Sequence, residues 1–155
     1  MQISNCSFVL FIVASLLSGI DSKNLFKNCP SNIGHIESIN VTGCKNNDSY
    51  CRLKKGVDVA MNLTFISDQA TDSVKVKIFG EIARVQVPFV IEPDEACGNY
   101  GLKCPLIAGH TNQFNLALPI KTIYPSIPVT IQINLMEGDT NNKIVCIRFK
   151  ARISN

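Results

Sequence analysis

The sequence has no tryptophan and only two histidines, His35 and His110. Neither histidine sits in a metalloprotease motif or beside a nucleophile elbow, so the usual metal-hydrolytic and serine–histidine chemistries lack a foothold. Both read as surface side chains, and His110 follows Ala108-Gly109 in an apparent turn. Glycine-rich phosphate loops are missing too. No block of like charge occurs, the basic residues are dispersed, and the formal net charge is only +3, which argues against a polyanion binder. Aromatics interleave with bases only at Arg148-Phe149-Lys150, where a half-buried strand explains the alternation, so nucleic-acid binding is not expected. Internal repeats, low-complexity segments and a second long apolar stretch are also lacking. These absences exclude most catalytic and nucleic-acid-binding classes; the chain reads as a non-enzyme without a cofactor or metal.

Turning to what is present, Cys6 to Ile20 is an unbroken run without charge. It is short for a membrane span, which needs about 20 apolar residues. Its position and the small residues Ser18, Gly19 and Ser22 fit a secretory signal peptide over residues 1–22. Residues 23–155 then form one domain of ordinary size, secreted and extracellular.

Six cysteines remain after the signal: Cys29, Cys44, Cys51, Cys97, Cys104 and Cys146. An even number in this compartment implies three disulfides. Cys44 and Cys51 enclose six residues, as do Cys97 and Cys104, and each pair reads as a pinched local loop. Cys29 is left for Cys146, a long closure that stabilises by about 4–5 kcal/mol in the chain-entropy account. Neither short pair has the spacing of a zinc site. Three mature sequons, at Asn40, Asn47 and Asn62, are candidate glycosylation sites; the match at Asn5 falls in the signal.

The mature chain alternates at period two. Val57, Val59, Met61, Leu63 and Phe65 share one face, with Asn62 on the other. Val74, Val76 and Ile78 repeat the pattern, then Phe114, Leu116 and Leu118, then Ile127 through Leu135, then Val145 through Ile153. Ile33 to Thr42 and Ile82 to Ile91 are further expected strands. Turn signals separate the runs, among them Gly43, Gly80, Pro93-Asp94, Gly98, Gly101, Gly109 and Glu137-Gly-Asp139. Pro88, Pro119 and Pro128 fit strand ends and edges. The expected fold is all-β, two sheets packed face to face. Periodicity alone favours a solid core, since close packing is the norm. A splayed sandwich would instead offer an apolar pocket.

The segment Val87-Pro-Phe-Val-Ile-Glu-Pro-Asp-Glu-Ala-Cys97, followed by Cys104-Pro-Leu106, resembles the Niemann–Pick type C2 proteins of the ML lipid-recognition family. So do Asn40-Val-Thr-Gly-Cys44, Lys55-Gly56, Asn62-Leu-Thr-Phe65, Leu118-Pro-Ile-Lys121 and Tyr124-Pro-Ser-Ile127, and the six cysteines match in order. The resemblance spans essentially the whole mature chain. It implies an immunoglobulin-like sandwich with a lipid between its sheets, and the pairings Cys29–Cys146, Cys44–Cys51 and Cys97–Cys104. It also implies a sterol ligand held near Phe89, Pro119, Ile120, Tyr124 and Ile133, with Val41, Val59 and Val87 as further wall positions. The implied protein is a monomer in the extracellular space or lysosomal lumen. Transient contact with a membrane or membrane protein would hand over its cargo.

Some positions depart from that pattern. Ile133 stands where the vertebrate sterol carrier has Trp, and Val59 where it has Tyr. Ala83-Arg84 replaces a small apolar patch used near membranes. A carrier of fatty acids or semiochemicals is therefore the alternative, and an innate-immune lipid-recognition protein a further one.

Overall fold

The computed structural model describes residues 24–155. The expected signal peptide, residues 1–22, lies outside the described residues. Nine strands follow in chain order: β1 (Phe26–Asn28), β2 (Gly34–Val41), β3 (Cys51–Lys54), β4 (Val57–Ser67), β5 (Val74–Ile82), β6 (Val85–Phe89), β7 (Thr111–Ile120), β8 (Pro128–Glu137) and β9 (Lys143–Ser154). No helix among the described residues is long and apolar enough to cross a membrane.

Period-two patterning explains the layering. Along β4 the burial alternates so that Val59, Met61, Leu63 and Phe65 are covered while Asp58, Ala60 and Asn62 face water. Each long strand thus owns one apolar face, and two sheets bury those faces against each other. The smaller sheet has the order β2-β4-β7. The larger runs β1-β9-β8-β5-β6, with β3 pairing β9 as well. All pairings are antiparallel except β3 with β9. Phe65 and Phe114 of the smaller sheet and Leu135 of the larger lie at 0% exposure in the middle of the core.

All three expected disulfides are present, with Cα separations of 5.0, 4.9 and 5.3 Å for Cys29–Cys146, Cys44–Cys51 and Cys97–Cys104. Pro88 and Pro119 sit on the edge strands β6 and β7, and Pro128 opens β8. Those are the places where a missing N–H breaks no ladder.

Two sequence expectations need correction. The stretch Ile82 to Ile91 is not one strand. The chain reverses at Ala83-Arg84, where both residues have positive φ, 49° and 69°, and a two-residue turn of the I′ kind joins β5 to β6. No glycine or asparagine marks this turn, so it carries no ordinary turn signal. Gly80, read as a turn, instead lies inside β5. It faces the core opposite Ile131, and a Cβ there would come within 3.3 Å of the Val129 side chain, so the glycine serves packing. The short strands β1 and β3 were not expected. Each has too few residues to show a period, and each is defined by its pairing to β9.

Candidate lipid-binding cleft

The sandwich has a seam where the two edge strands β6 and β7 come opposite one another. At one end a connecting segment closes it. Asp94 to Ala96 continue the edge of β5 beyond β6: Val76 N–H donates to Asp94 O at 2.8 Å and Ala96 N–H to Val74 O at 2.7 Å. The same segment then crosses to the other sheet, where Asn115 N–H on β7 donates to Tyr100 O at 2.8 Å. The Tyr100 ring packs on Phe114 with centroids 5.5 Å apart, and its hydroxyl donates to Pro93 O at 2.6 Å. Burial pushes the Tyr100 phenol above its ordinary pKa, with Asp94 adding to the effect. The Cys97–Cys104 bridge staples the loop. Gly101, with φ of 73°, passes so near β7 that a Cβ would lie 2.8 Å from the Asn115 amide nitrogen.

Glu95 is the polar anchor of this closure. Its carboxylate accepts from Ser73 Oγ at 2.6 Å, Val74 N–H at 3.0 Å and Cys97 N–H at 2.9 Å. Burial by itself would raise its pKa, but these hydrogen bonds and nearby Lys75 outweigh it and hold the carboxyl below its ordinary value.

At the other end the seam is open. Among the described residues, no backbone hydrogen bond joins β6 and its exit segment to Leu116–Lys121. A cleft of about 640 Å³ lies there, walled by Val87, Pro88, Phe89, Val90 and Ile91 on one side and by Leu116, Ala117 and Pro119 on the other, with Tyr124 and Tyr100 at its ends. Glu92 and Lys121 supply the charge at its lip. The Phe89 and Tyr124 rings meet edge to face, centroids 6.2 Å apart and 79° between planes. Such contacts hold aromatic side chains in a defined pose. Burial raises the Tyr124 phenol pKa, so the hydroxyl stays neutral and able to donate a hydrogen bond.

Of the eight expected pocket residues, Val87, Phe89, Pro119 and Tyr124 line this cleft. The other four do not line it. Val41, Val59, Ile120 and Ile133 point into the packed space between the sheets, at 3%, 8%, 4% and 2% exposure. Val90, Ile91, Pro88, Glu92, Tyr100, Leu116, Ala117 and Lys121 were missed. The signal for the first two was available: Val87 to Ile91 is an apolar run without alternation, broken only by proline, which is odd for an edge strand with one dry face. Val85, Val90 and Ile123 are 62%, 78% and 83% exposed, so apolar surface continues beyond the cleft on both its flanking elements. Asn40, Asn47 and Asn62 are exposed. Asn40 and Asn62 are strand partners on the outer face of the smaller sheet, and Asn62 Nδ2 donates to Asn115 Oδ1 at 2.7 Å. Both histidines are exposed, His35 with Nδ1 3.7 Å from Asp68. No group of three or more metal-ligating side chains gathers among the described residues.

Comparison with known proteins decides the family. The ML domain family matches residues 23–153. The chain belongs to the ML domain family. Within it, the chain is 32% identical to the NPC intracellular cholesterol transporter 2 of Canis lupus familiaris over 153 residues, covering 99% of each. It is 27% identical to the Drosophila melanogaster NPC intracellular cholesterol transporter 2 homolog a, over 83% of this chain and 86% of that one. Among solved structures, a Niemann–Pick type C2 protein from Japanese carpenter ant superposes with a TM-score of 0.79 at 24% identity, covering 83% of this chain and 98% of that one. The immunoglobulin-like sandwich that the resemblance implied is thus the ML fold, and the open seam is an apolar opening between its sheets.

Proposed function

We propose that this ML domain protein is a non-catalytic lipid carrier that takes a sterol of cholesterol-like size between its sheets through the open seam. The observation that carries this reading is the apolar cleft of about 640 Å³ between the unbonded stretches of β6 and β7. Its size falls in the usual range for small-molecule sites. Relatives named as cholesterol transporters support the sterol. Each methylene taken from water contributes about 0.8 kcal/mol, enough for a sterol to reach micromolar affinity after ordering costs.

The geometry suggests how the carrier works. Phe89 and Tyr124 form the gate, Val87 and Pro119 the entrance walls. Val41, Val59, Ile120 and Ile133 are the surfaces a ligand meets once it passes inward and the edges part. Parting is inexpensive there because no ladder hydrogen bond must break. The neutral Tyr124 hydroxyl can pair with a sterol hydroxyl at the lip. Release takes place at a membrane or to a membrane-protein acceptor. In keeping with this role, residues 1–22 act as a signal peptide, residues 23–155 are secreted or enter the lysosomal lumen as a monomer, and Asn40, Asn47 and Asn62 are glycosylation sites.

Titration of the delipidated protein with a fluorescent sterol tests the proposal. Saturable binding is expected; no sterol binding alongside intact fatty-acid binding would sink it. A second reading, a carrier of fatty acids or semiochemicals, is favoured by the small side chains of Val59 and Ile133. Mass spectrometry of lipid extracted from the native protein separates the two.

A further inference from the structure

The face of the larger sheet turned away from the smaller one carries a row of cations. Arg148, Lys150 and Arg152 alternate outward along β9, and Arg52 is the strand partner of Arg152. Part of this face is concave, forming a depression of about 460 Å³. Its floor includes the strand partners Thr130 and Lys150 and the next pair, Pro128 and Arg152. Two loops wall it: the β5–β6 turn brings Ala83 and Arg84, and the end of the Cys44–Cys51 loop brings Ser49 and Tyr50.

The charges in this depression are not balanced. Among the described residues Arg84, Lys150 and Arg152 have no carboxylate within ion-pair distance. The one carboxylate in the lining, Glu81, is engaged by Arg148. Like charges gathered at one depression repel, and an anion placed among them relieves that repulsion. The Arg152 guanidinium is also positioned, its Cζ lying 5.6 Å from the Tyr50 ring centroid while that of Arg52 lies 5.9 Å away.

A second observation is independent of charge. The turn that brings in Arg84 places two non-glycine residues in the left-handed region, φ 49° and 69°. Asparagine and glycine are the residues this turn prefers. An arginine held there is strained backbone retained at a site where its side chain faces a ligand-sized depression, and retained strain of this kind gathers at functional positions.

The geometry points to an oxyanion site in this depression, for a phosphate monoester group that is either free or the exposed headgroup of a lipid. Arg84 and Arg152 offer planar donor forks, Lys150 a point charge, and Thr130 and Ser49 hydroxyl donors. A phosphate monoester carries about −1.5 to −2 at neutral pH, which suits three cations beside a Glu81 already engaged. The depression shares no lining residue with the apolar cleft, so the site stands whether or not the cleft holds a sterol.

The test uses the full mature protein with two probes. Calorimetry measures glycerol 3-phosphate, and flotation measures phosphatidylcholine vesicles with and without phosphatidate. Saturable binding to at least one phosphomonoester probe is expected. Arg84→Gln and Lys150→Gln should each weaken it by about tenfold, while a control of equal charge, Lys45→Gln with Lys103→Gln, should leave it within about twofold. Arg84→Gly separates strain from ligand: it should raise Tm by about 2–6 °C and still lose the affinity. Binding of glycerol 3-phosphate assigns a soluble ligand; binding confined to phosphatidate vesicles assigns a lipid headgroup. No binding to either probe overturns the site, as does binding that the equal-charge control weakens as much as the double variant Arg84→Gln/Lys150→Gln.

Discussion

The two ends of the β6–β7 seam bring together the same pair of sheets and treat them in opposite ways. At the closed end the edges of both sheets find backbone partners. Asp94 to Ala96 extend the larger sheet, Tyr100 caps β7, Glu95 gathers three donors and a disulfide fixes the loop. At the open end the partners are apolar side chains and the backbone edges are left apart. The difference teaches where this sandwich is rigid and where it can yield. Hydrogen bonds are directional and costly to break when buried, whereas apolar contacts are non-directional and can be exchanged for those of a ligand. Stability and binding should therefore separate along the seam.

The sharpest way to break that comparison is at the closed end. Cys97→Ser with Cys104→Ser should cost about 2–3 kcal/mol in denaturant unfolding, with sterol affinity of the folded fraction unchanged within about threefold. A matching loss of affinity in folded protein would show that the ends are coupled. Glu95→Ala should cost about 2 kcal/mol, because the Val74 and Cys97 amides lose their acceptor. Glu95 also gives a pH signature. Its folded pKa lies below the unfolded value, so its stabilisation is full above about 4.5 and is lost as pH falls through the folded pKa. Glu95→Gln should flatten the acid limb of a stability-against-pH curve; an unchanged limb would remove Glu95 from this role.

At the open end the effects should reverse. Phe89→Ala or Tyr124→Ala should weaken sterol binding by about tenfold or more while costing about 1 kcal/mol or less in stability, since both side chains are only half-buried. Unfolding instead of weakened binding would reassign them to the core. The smallest effect belongs to Ile123→Gln, on a side chain 83% exposed. It should move stability by less than about 0.5 kcal/mol, and thermal denaturation checks this.

Much of this contrast was legible in the sequence, and its limits have physical reasons. Strands long enough to show several alternations, such as β4, β8 and β9, stood out by period two alone. Cysteine spacing gave the bridges. The turn at Ala83-Arg84 was hidden because its residues violate the preference that normally marks such turns. The packing role of Gly80 was hidden because its neighbour, Val129, is far away in sequence. For the cleft, the family resemblance pointed to Phe89 and Tyr124, and both line it in the structure. Val41, Val59, Ile120 and Ile133 were assigned to the same pocket, yet alternation cannot tell a pocket wall from a packed core. In the structure they lie behind the cleft, in the core.

Strand β9 has a consequence for the birth of the molecule. It pairs with β1, β3 and β8, all of which leave the ribosome before it. Until β9 emerges, the larger sheet has no hub, and β1 and β3 have no partner strand at all. The nascent chain must carry these strands unpaired until then, so folding waits for nearly the last residues described here. Losing those twelve residues would do more than shorten the chain. It would leave β1 and β3 without their partner strand and the larger sheet without its centre.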